Sequence, residues 1–329
     1  MIQYIASVAT EGVIFSIMAL GLNVIWGWVG DFDIAFYGYV AIGVYMAMVT
    51  TIGRVPPPDQ YILGWHLPFP VAVLIAMASA GLLALCVGAV ALRKLRASYY
   101  AITTLSTVLM LQIFIGNYTP LFNGYNGLYG MEQPFNDALN LSPQAYPFFF
   151  LALCTAVLAA VYLLLERLSS SPFGRALRAV REEERAAAAF GRNIYGLKLK
   201  AYVLGATLGG LGGALFAAYL GAFNPTAWSP IETLLLYAAI FVGGSGNNRG
   251  VILGVFLVSV VFQEITRFIP NVGGNASFSA AVREILIGLL ILATMRYRIQ
   301  GLLPEPRSKD VAAEPVAAKP YAGRGSAAD

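Results

Sequence analysis

Nine apolar runs, separated by polar connections, dominate this sequence: residues 5–28, 34–52, 68–92, 99–117, 147–165, 199–222, 231–242, 251–269 and 281–297. A helix crossing the roughly 30 Å hydrocarbon core of a bilayer needs about 20 largely apolar residues. Inside that core only helices or closed barrels satisfy every backbone N–H and C=O. Each run is read as a membrane helix. The predicted fold is an all-α polytopic transmembrane bundle of about eight to ten spans. The seventh run is short and the second is rich in Gly and Tyr, so either is a candidate broken or re-entrant helix. Only 12% of the residues are charged, about half the share of a soluble domain, and most of the chain is therefore expected to be solvated by lipid.

Lysines and arginines set the orientation, because cytoplasmic loops are enriched in them. With the N-terminus outside and the spans alternating, 18 of the 21 basic residues fall inside. These are Arg93, Lys94 and Arg96, eight residues between Arg167 and Lys200, Arg249, and six from Arg296 onward. Arg54, Arg267 and Arg283 are left outside. A shift of one helix would destroy this partition. The first twenty residues lack a basic n-region and their apolar run continues through Trp28, so they are read as the first span. Residues 1–303 are expected to form the membrane domain. Residues 304–329, rich in Ala, Pro, Lys and Glu without periodicity, are expected to form a disordered cytoplasmic tail.

The sequence excludes several chemistries. One His (His66) and two Cys, both within apolar runs, cannot make a zinc cluster or a disulfide scaffold. Cys86 and Cys154 are expected to be small buried hydrophobes. Residues 243–250, GGSGNNRG, lack the Gly-Lys-Ser/Thr of a phosphate loop. The chain is therefore expected to be no enzyme, to hold no cofactor or metal, and to bind no nucleic acid.

The long connection between the fifth and sixth runs carries the most specific signal. Ser170 or Ser171 can cap a helix with Pro172 in its first turn, followed by Phe173 and Gly174 and then strong helix formers, with a stop at Gly191 and Asn193. Helical spacing puts Ala176, Ala179, Val180, Ala187 and Phe190 near one face, with Arg175, Arg178, Arg181, Glu182 and Arg185 around the rest. This insert is too polar to enter the bilayer and too small-sided to build a core. It reads as a knob offered to a cytoplasmic partner, or more blandly as a solvated loop helix obeying the positive-inside rule.

PFGRALRAVREEERAAAAFG resembles the coupling segment of permeases in the branched-chain amino acid ABC importers, the LivM-like subunits. Glu184-x-Ala186-Ala187 followed by Gly191 resembles the Glu-Ala-Ala…Gly motif that docks on an ATPase subunit. Leu20, Gly21, Asn23, Trp26, Gly27, Gly30, Gly43 and Tyr45 resemble a second family pattern near the start. LRKLRASYYAITTLS, NGYNGLYGM and GGSGNNRGVILG resemble three more, in order. Where many members carry Ser-x-Gly-His at the start of the second span, this chain has Asp33, Ala35 and Phe36. The resemblance implies an importer permease in the bacterial inner membrane. Its implied partners are a homologous second permease, two ATP-binding cassette ATPases and a periplasmic solute-binding protein. The implied solutes are branched-chain or other amino acids, urea, amides or aromatic acids. A secondary carrier working without an ATPase is the alternative, and it would usually show a midplane carboxylate.

Two further groups have competing readings. Asn23 and Trp26 lie one turn apart on the first span. With Gly27, Gly30, Asp33, Phe36 and Tyr37 they are candidates for a polar translocation path, or else Asn23 makes a helix–helix hydrogen bond beside a packed indole. Gly205, Gly209, Gly210, Gly212 and Gly213 form small-xxx-small patterns in the sixth span, which favour close packing over a hinge.

Overall fold

The computed structural model describes residues 2–53, 64–94, 97–228, 230–262, 276–297 and 300–305. Arg54, Arg96, Arg267 and the expected tail from 306 onward lie outside the described residues. The helices are α1 Ile2–Val29, α2 Phe36–Thr51, α3 Phe69–Lys94, α4 Ala97–Asn117, the one-turn α5 Thr119–Phe122 and α6 Asn136–Leu139, and α7 Tyr146–Ser170. They continue with α8 Pro172–Glu182, α9 Glu184–Ala189, α10 Ile194–Leu220, α11 Pro230–Gly243, α12 Asn248–Val255 and α13 Ala276–Tyr297. Among the described residues six stretches are long and apolar enough to cross a membrane, including α1, α7 and α10, while α2 and α12 are shorter apolar helices. All nine predicted runs therefore have a helical counterpart. The glycine-rich second run is one continuous helix. It is the eighth that departs from α geometry, passing into a π-helical stretch at Phe256–Phe262.

The centre of the bundle is α10, packed against α1, α2 and α3. Glycine makes this possible. A Cβ at Gly205 would lie 2.5 Å from the Gly21 carbonyl oxygen, and one at Gly210 would lie 2.6 Å from the Ala80 Cβ. A Cβ at Gly43 would lie 2.6 Å from the Gly210 Cα. Between lipid-solvated helices there is little hydrophobic drive, and van der Waals contact at short range supplies the association. The glycine cluster of α10 is thus a packing device, the blander of its two readings.

The two ends of the bundle differ. One gathers the α1–α2 linker, the α7–α10 connection, the 243–248 turn and residues 301–305, and it carries most of the described basic side chains. At the opposite end a two-residue antiparallel pairing of β1 (Leu128–Tyr129) with β2 (Ala222–Phe223) joins two connections. There Gln112 of α4 donates through Nε2 to the carbonyls of Pro225 (2.6 Å) and Trp228 (2.8 Å). Of the two cysteines, Cys154 is buried as expected, but Cys86 is exposed on the outer flank of α3. It lies on the face of α3 that points away from the bundle, a distinction composition alone does not make.

Gly210→Leu is expected to abolish the monodisperse peak of detergent-solubilised protein in size-exclusion chromatography, because two backbones must separate and overpacking costs at least about 1–3 kcal/mol. Gly288→Leu, at a position with nothing within 4 Å of an added Cβ, is expected to leave the peak unchanged.

Candidate functional site

Two groups of predicted residues meet at the basic end. The first is the insert after α7. Ser171 caps α8, its Oγ accepting from the Gly174 N–H, and Pro172 occupies the first turn. The expected single helix is interrupted at Glu183, which is extended (φ −152°, ψ 97°), so α8 and α9 are separate segments. Gly191 has φ +74°, a conformation that favours glycine, and it ends α9.

The expected apolar face is displaced. Gly174, Leu177, Val180 and Ala187 are the buried positions, whereas Phe190 is 86% exposed. Alanines are too small to define a face. Leu177 does so, and it turns α8 by roughly a third of a circle from the alanine stripe. Pro172, Arg175, Glu182, Arg185, Ala186 and Gly191 are exposed. Phe173 packs against the core and is partly buried. Arg178 and Arg181 are partly buried and turned inward. Arg178 donates to Ser169 Oγ and O at 3.0 Å, and Arg181 donates to the Gly27 carbonyl at the end of α1. Glu184 accepts from Lys198 at 3.2 Å, and Lys198 also donates to Asp31 at 3.0 Å. The insert is thus fastened directly to α1 at Gly27 and, through Lys198 of α10, to Asp31 in the α1–α2 linker.

The second group surrounds the α1–α2 linker. Asn23 is fully buried. Its Oδ1 accepts from the Gly246 N–H at 2.9 Å and its Nδ2 donates to Asn248 Oδ1 at 3.2 Å, clamping α1 to the 243–248 turn. Gly27 leaves room for that turn, since a Cβ there would lie 2.6 Å from the Gly246 nitrogen. Trp26 packs edge-on against Phe32, Tyr237 and Phe241. Of the two readings of this pair, the geometry matches the interhelical hydrogen bond with a packed indole.

Gly30 turns the chain at φ +88°. Beyond it, side chains of α4 and α11 satisfy the exposed backbone of the linker. The Tyr237 hydroxyl accepts from the Asp33 N–H (2.9 Å) and donates to the Asp33 carbonyl (3.2 Å). Thr104 accepts from the Ile34 N–H, while Thr233 accepts from the Tyr37 N–H and donates to the Ile34 carbonyl. Asp33 is fully buried. Its Oδ1 accepts from the Ala35 N–H at 2.8 Å and its Oδ2 makes no hydrogen bond. Burial raises its pKa to about 7, against the smaller opposing effect of the Ala35 N–H. Asp33, Phe36 and Tyr37 lie at 0–2% exposure, and Asn23 and Gly27 are buried with them, whereas Trp26 is partly buried and Gly30 exposed.

Sequence reasoning missed Thr104, Thr233, Tyr237 and Lys198. Each sits on a different element from the group it serves, and no local pattern announces such a pairing.

A family model described as the branched-chain amino acid transport system / permease component matches residues 4–295. Over 320 residues the chain is 32% identical to the high-affinity branched-chain amino acid transport system permease protein LivM of Escherichia coli (strain K12), covering 91% of this chain and 70% of that one. The chain belongs to the branched-chain amino acid transport permease family. A probable branched-chain amino acid transport permease protein LivM of Methanocaldococcus jannaschii is 32% identical over 241 residues, covering 71% of this permease and 68% of that one. The permease LivH of Escherichia coli (strain K12) is 21% identical over 323 residues, covering 94% and 97%. No solved structure matches. This permease is a multi-pass membrane subunit of an ABC importer. As such it forms part of the translocation pathway, while hydrolysis of ATP belongs to separate subunits.

Asp33→Asn is expected to leave the thermal stability of the purified permease within about 1 kcal/mol of the parent, since the amide keeps the Ala35 contact and removes a buried charge. Asp33→Leu orphans the Ala35 N–H and is expected to cost about 1–3 kcal/mol, read as a lower melting temperature.

Proposed function

We propose that this permease moves branched-chain amino acids from periplasm to cytoplasm across a bacterial inner membrane, with the α8–α9 insert as the handle gripped by its ATPase partners. The working complex holds a homologous second permease, two ATP-binding cassette ATPases and a periplasmic solute-binding protein. The basic end of the bundle is cytoplasmic on this reading, by the asymmetry of lysine and arginine. Other small polar solutes of the kind the family resemblance implies, such as urea, amides and aromatic acids, are the competing cargo.

One observation carries the proposal. The insert is exposed along Arg175, Glu182, Arg185 and Phe190, yet fastened behind to α1 through Arg181 and to the α1–α2 linker through Lys198. A large exposed aromatic ring amid charges has the make-up of an interface anchor, and what lies behind it is the packed centre of the bundle. Closure of the ATPase pair on ATP would pull the insert, and the fastenings would pass that displacement to α1. The residues Asn23, Trp26, Gly27, Gly30, Asp33, Phe36 and Tyr37 then act behind the path, holding α1, α2 and α11 in fixed relation, while the solute passes along surfaces completed by the second permease.

Phe190→Asp is expected to cut copurification of the ATPase at least tenfold, as loss of a buried aromatic anchor costs about 2 kcal/mol or more, with the permease still monodisperse. Retention of the ATPase at parental levels by Phe190→Asp and by Phe190→Asp/Arg185→Glu would refute the docking role. Uptake of leucine by proteoliposomes of the whole complex tests the cargo, and uptake of urea or an amide in its place would overturn it.

A further inference from the structure

The sequence reading ended the packed body at residue 303, but it continues through Glu305. The Leu302 and Leu303 N–H groups donate to the Val242 and Gly243 carbonyls at 2.9 Å, taking up two carbonyls left free at the end of α11. Asn247 Nδ2 donates to the carbonyls of Leu303 (3.3 Å) and Pro304 (3.0 Å). The approach is so close that a Cβ on either Gly244 or Gly301 would strike the opposing backbone, and both glycines have positive φ. Glu305 closes the arrangement. Its Oε2 accepts from Arg181 Nη2 at 2.6 Å, and its Oε1, buried and without a hydrogen bond, lies 3.8 Å from Arg178 Nε in an ion pair. Gly246 stands against the same carboxylate, since a Cβ there would come within 2.9 Å of Oε2.

We infer that Leu302–Glu305 is a strap binding the insert to the α11–α12 turn, with Glu305 as the positioning residue that makes α8 and this turn move as one body. Three elements converge on Arg181: the strap through Glu305, α1 through the Gly27 carbonyl, and α8 itself. Displacing α8 without the turn would strip Glu305 of both cations and leave a partly buried carboxylate unpaired, which is costly. Displacing the two together keeps both ion pairs of Glu305. The strap therefore routes motion of the insert to α11, whose Tyr237 and Thr233 hold the α1–α2 linker. The inference rests on the insert being the ATPase handle.

The test uses the full-length permease with its partner permease and ATPases in nanodiscs. Spin labels are placed at Ala179→Cys on the exposed side of α8 and at Leu253→Cys on α12, in a Cys86→Ser/Cys154→Ala background. In the parent a single distance is expected, unchanged when ATP is trapped. Glu305→Ala and the isosteric Glu305→Gln are expected to broaden the distribution, and ATP is expected to shift it by about a helical turn, ~5 Å. Glu305→Asp is expected to restore the parental peak. In leucine uptake, both neutral variants are expected to raise the ATP consumed per leucine about tenfold, an ordinary coupling free energy, with ATPase copurification unchanged. A parental distance in Glu305→Gln, a parent whose distance itself shifts with ATP, or failure of Glu305→Asp to rescue would each overturn the strap. Loss of the ATPase from Glu305→Ala alone would overturn it too, making Glu305 part of the docking surface. A parent that carries no leucine sinks only the cargo reading. A parent that binds no ATPase sinks the handle reading, and the strap is then decided by the width of the nucleotide-free distribution.

Discussion

Backbone polar groups cannot be left unpaired in lipid, and the rest of this bundle depends on how that requirement is met between α1 and α2. The chain reverses there through Gly30 with no turn of helix to absorb its N–H and C=O groups. Hydroxyls borrowed from α4 and α11 absorb them instead, one tyrosine and two threonines serving five backbone groups. The borrowing fixes the relation of four helices at once. A neutral hydroxyl that both donates and accepts suits a peptide better than an ion would, and needs no counter-ion.

Around that junction, polar side chains act as clamps and apolar surface as filler. Asn23 is bound at both ends of its amide, and Arg181 holds α1, α8 and the strap together. The pairing Lys198–Asp31–Glu184 adds one more tie at the rim. Each of these joins one element of the permease to another. They make the basic end of the permease a rigid block, as a subunit driven from outside by a separate motor requires.

Much of this was legible in the sequence. The nine apolar runs, the Ser171 cap, the Gly191 stop and the use of α10 glycines for close approach all follow from local rules of length and steric size. The rotation of α8 was not legible, because alanine and glycine leave the buried face undecided until Leu177 meets its neighbours. Nor was the inward turn of Arg178 and Arg181, since a basic residue in a cytoplasmic loop satisfies the same rule whether it faces solvent or a carboxylate 124 positions later. Composition assigned Pro304 and Glu305 to a featureless tail, and only the Asn247 amide and the two arginines of α8 draw them back.

α11 has 14 residues and reaches about 21 Å, short of a hydrocarbon slab about 30 Å deep. The shortfall falls to irregular chain beside it, where the amide of Gln112 takes the carbonyls of Pro225 and Trp228, two residues buried within the protein. The bilayer beside it must therefore either thin or meet a surface already closed by protein.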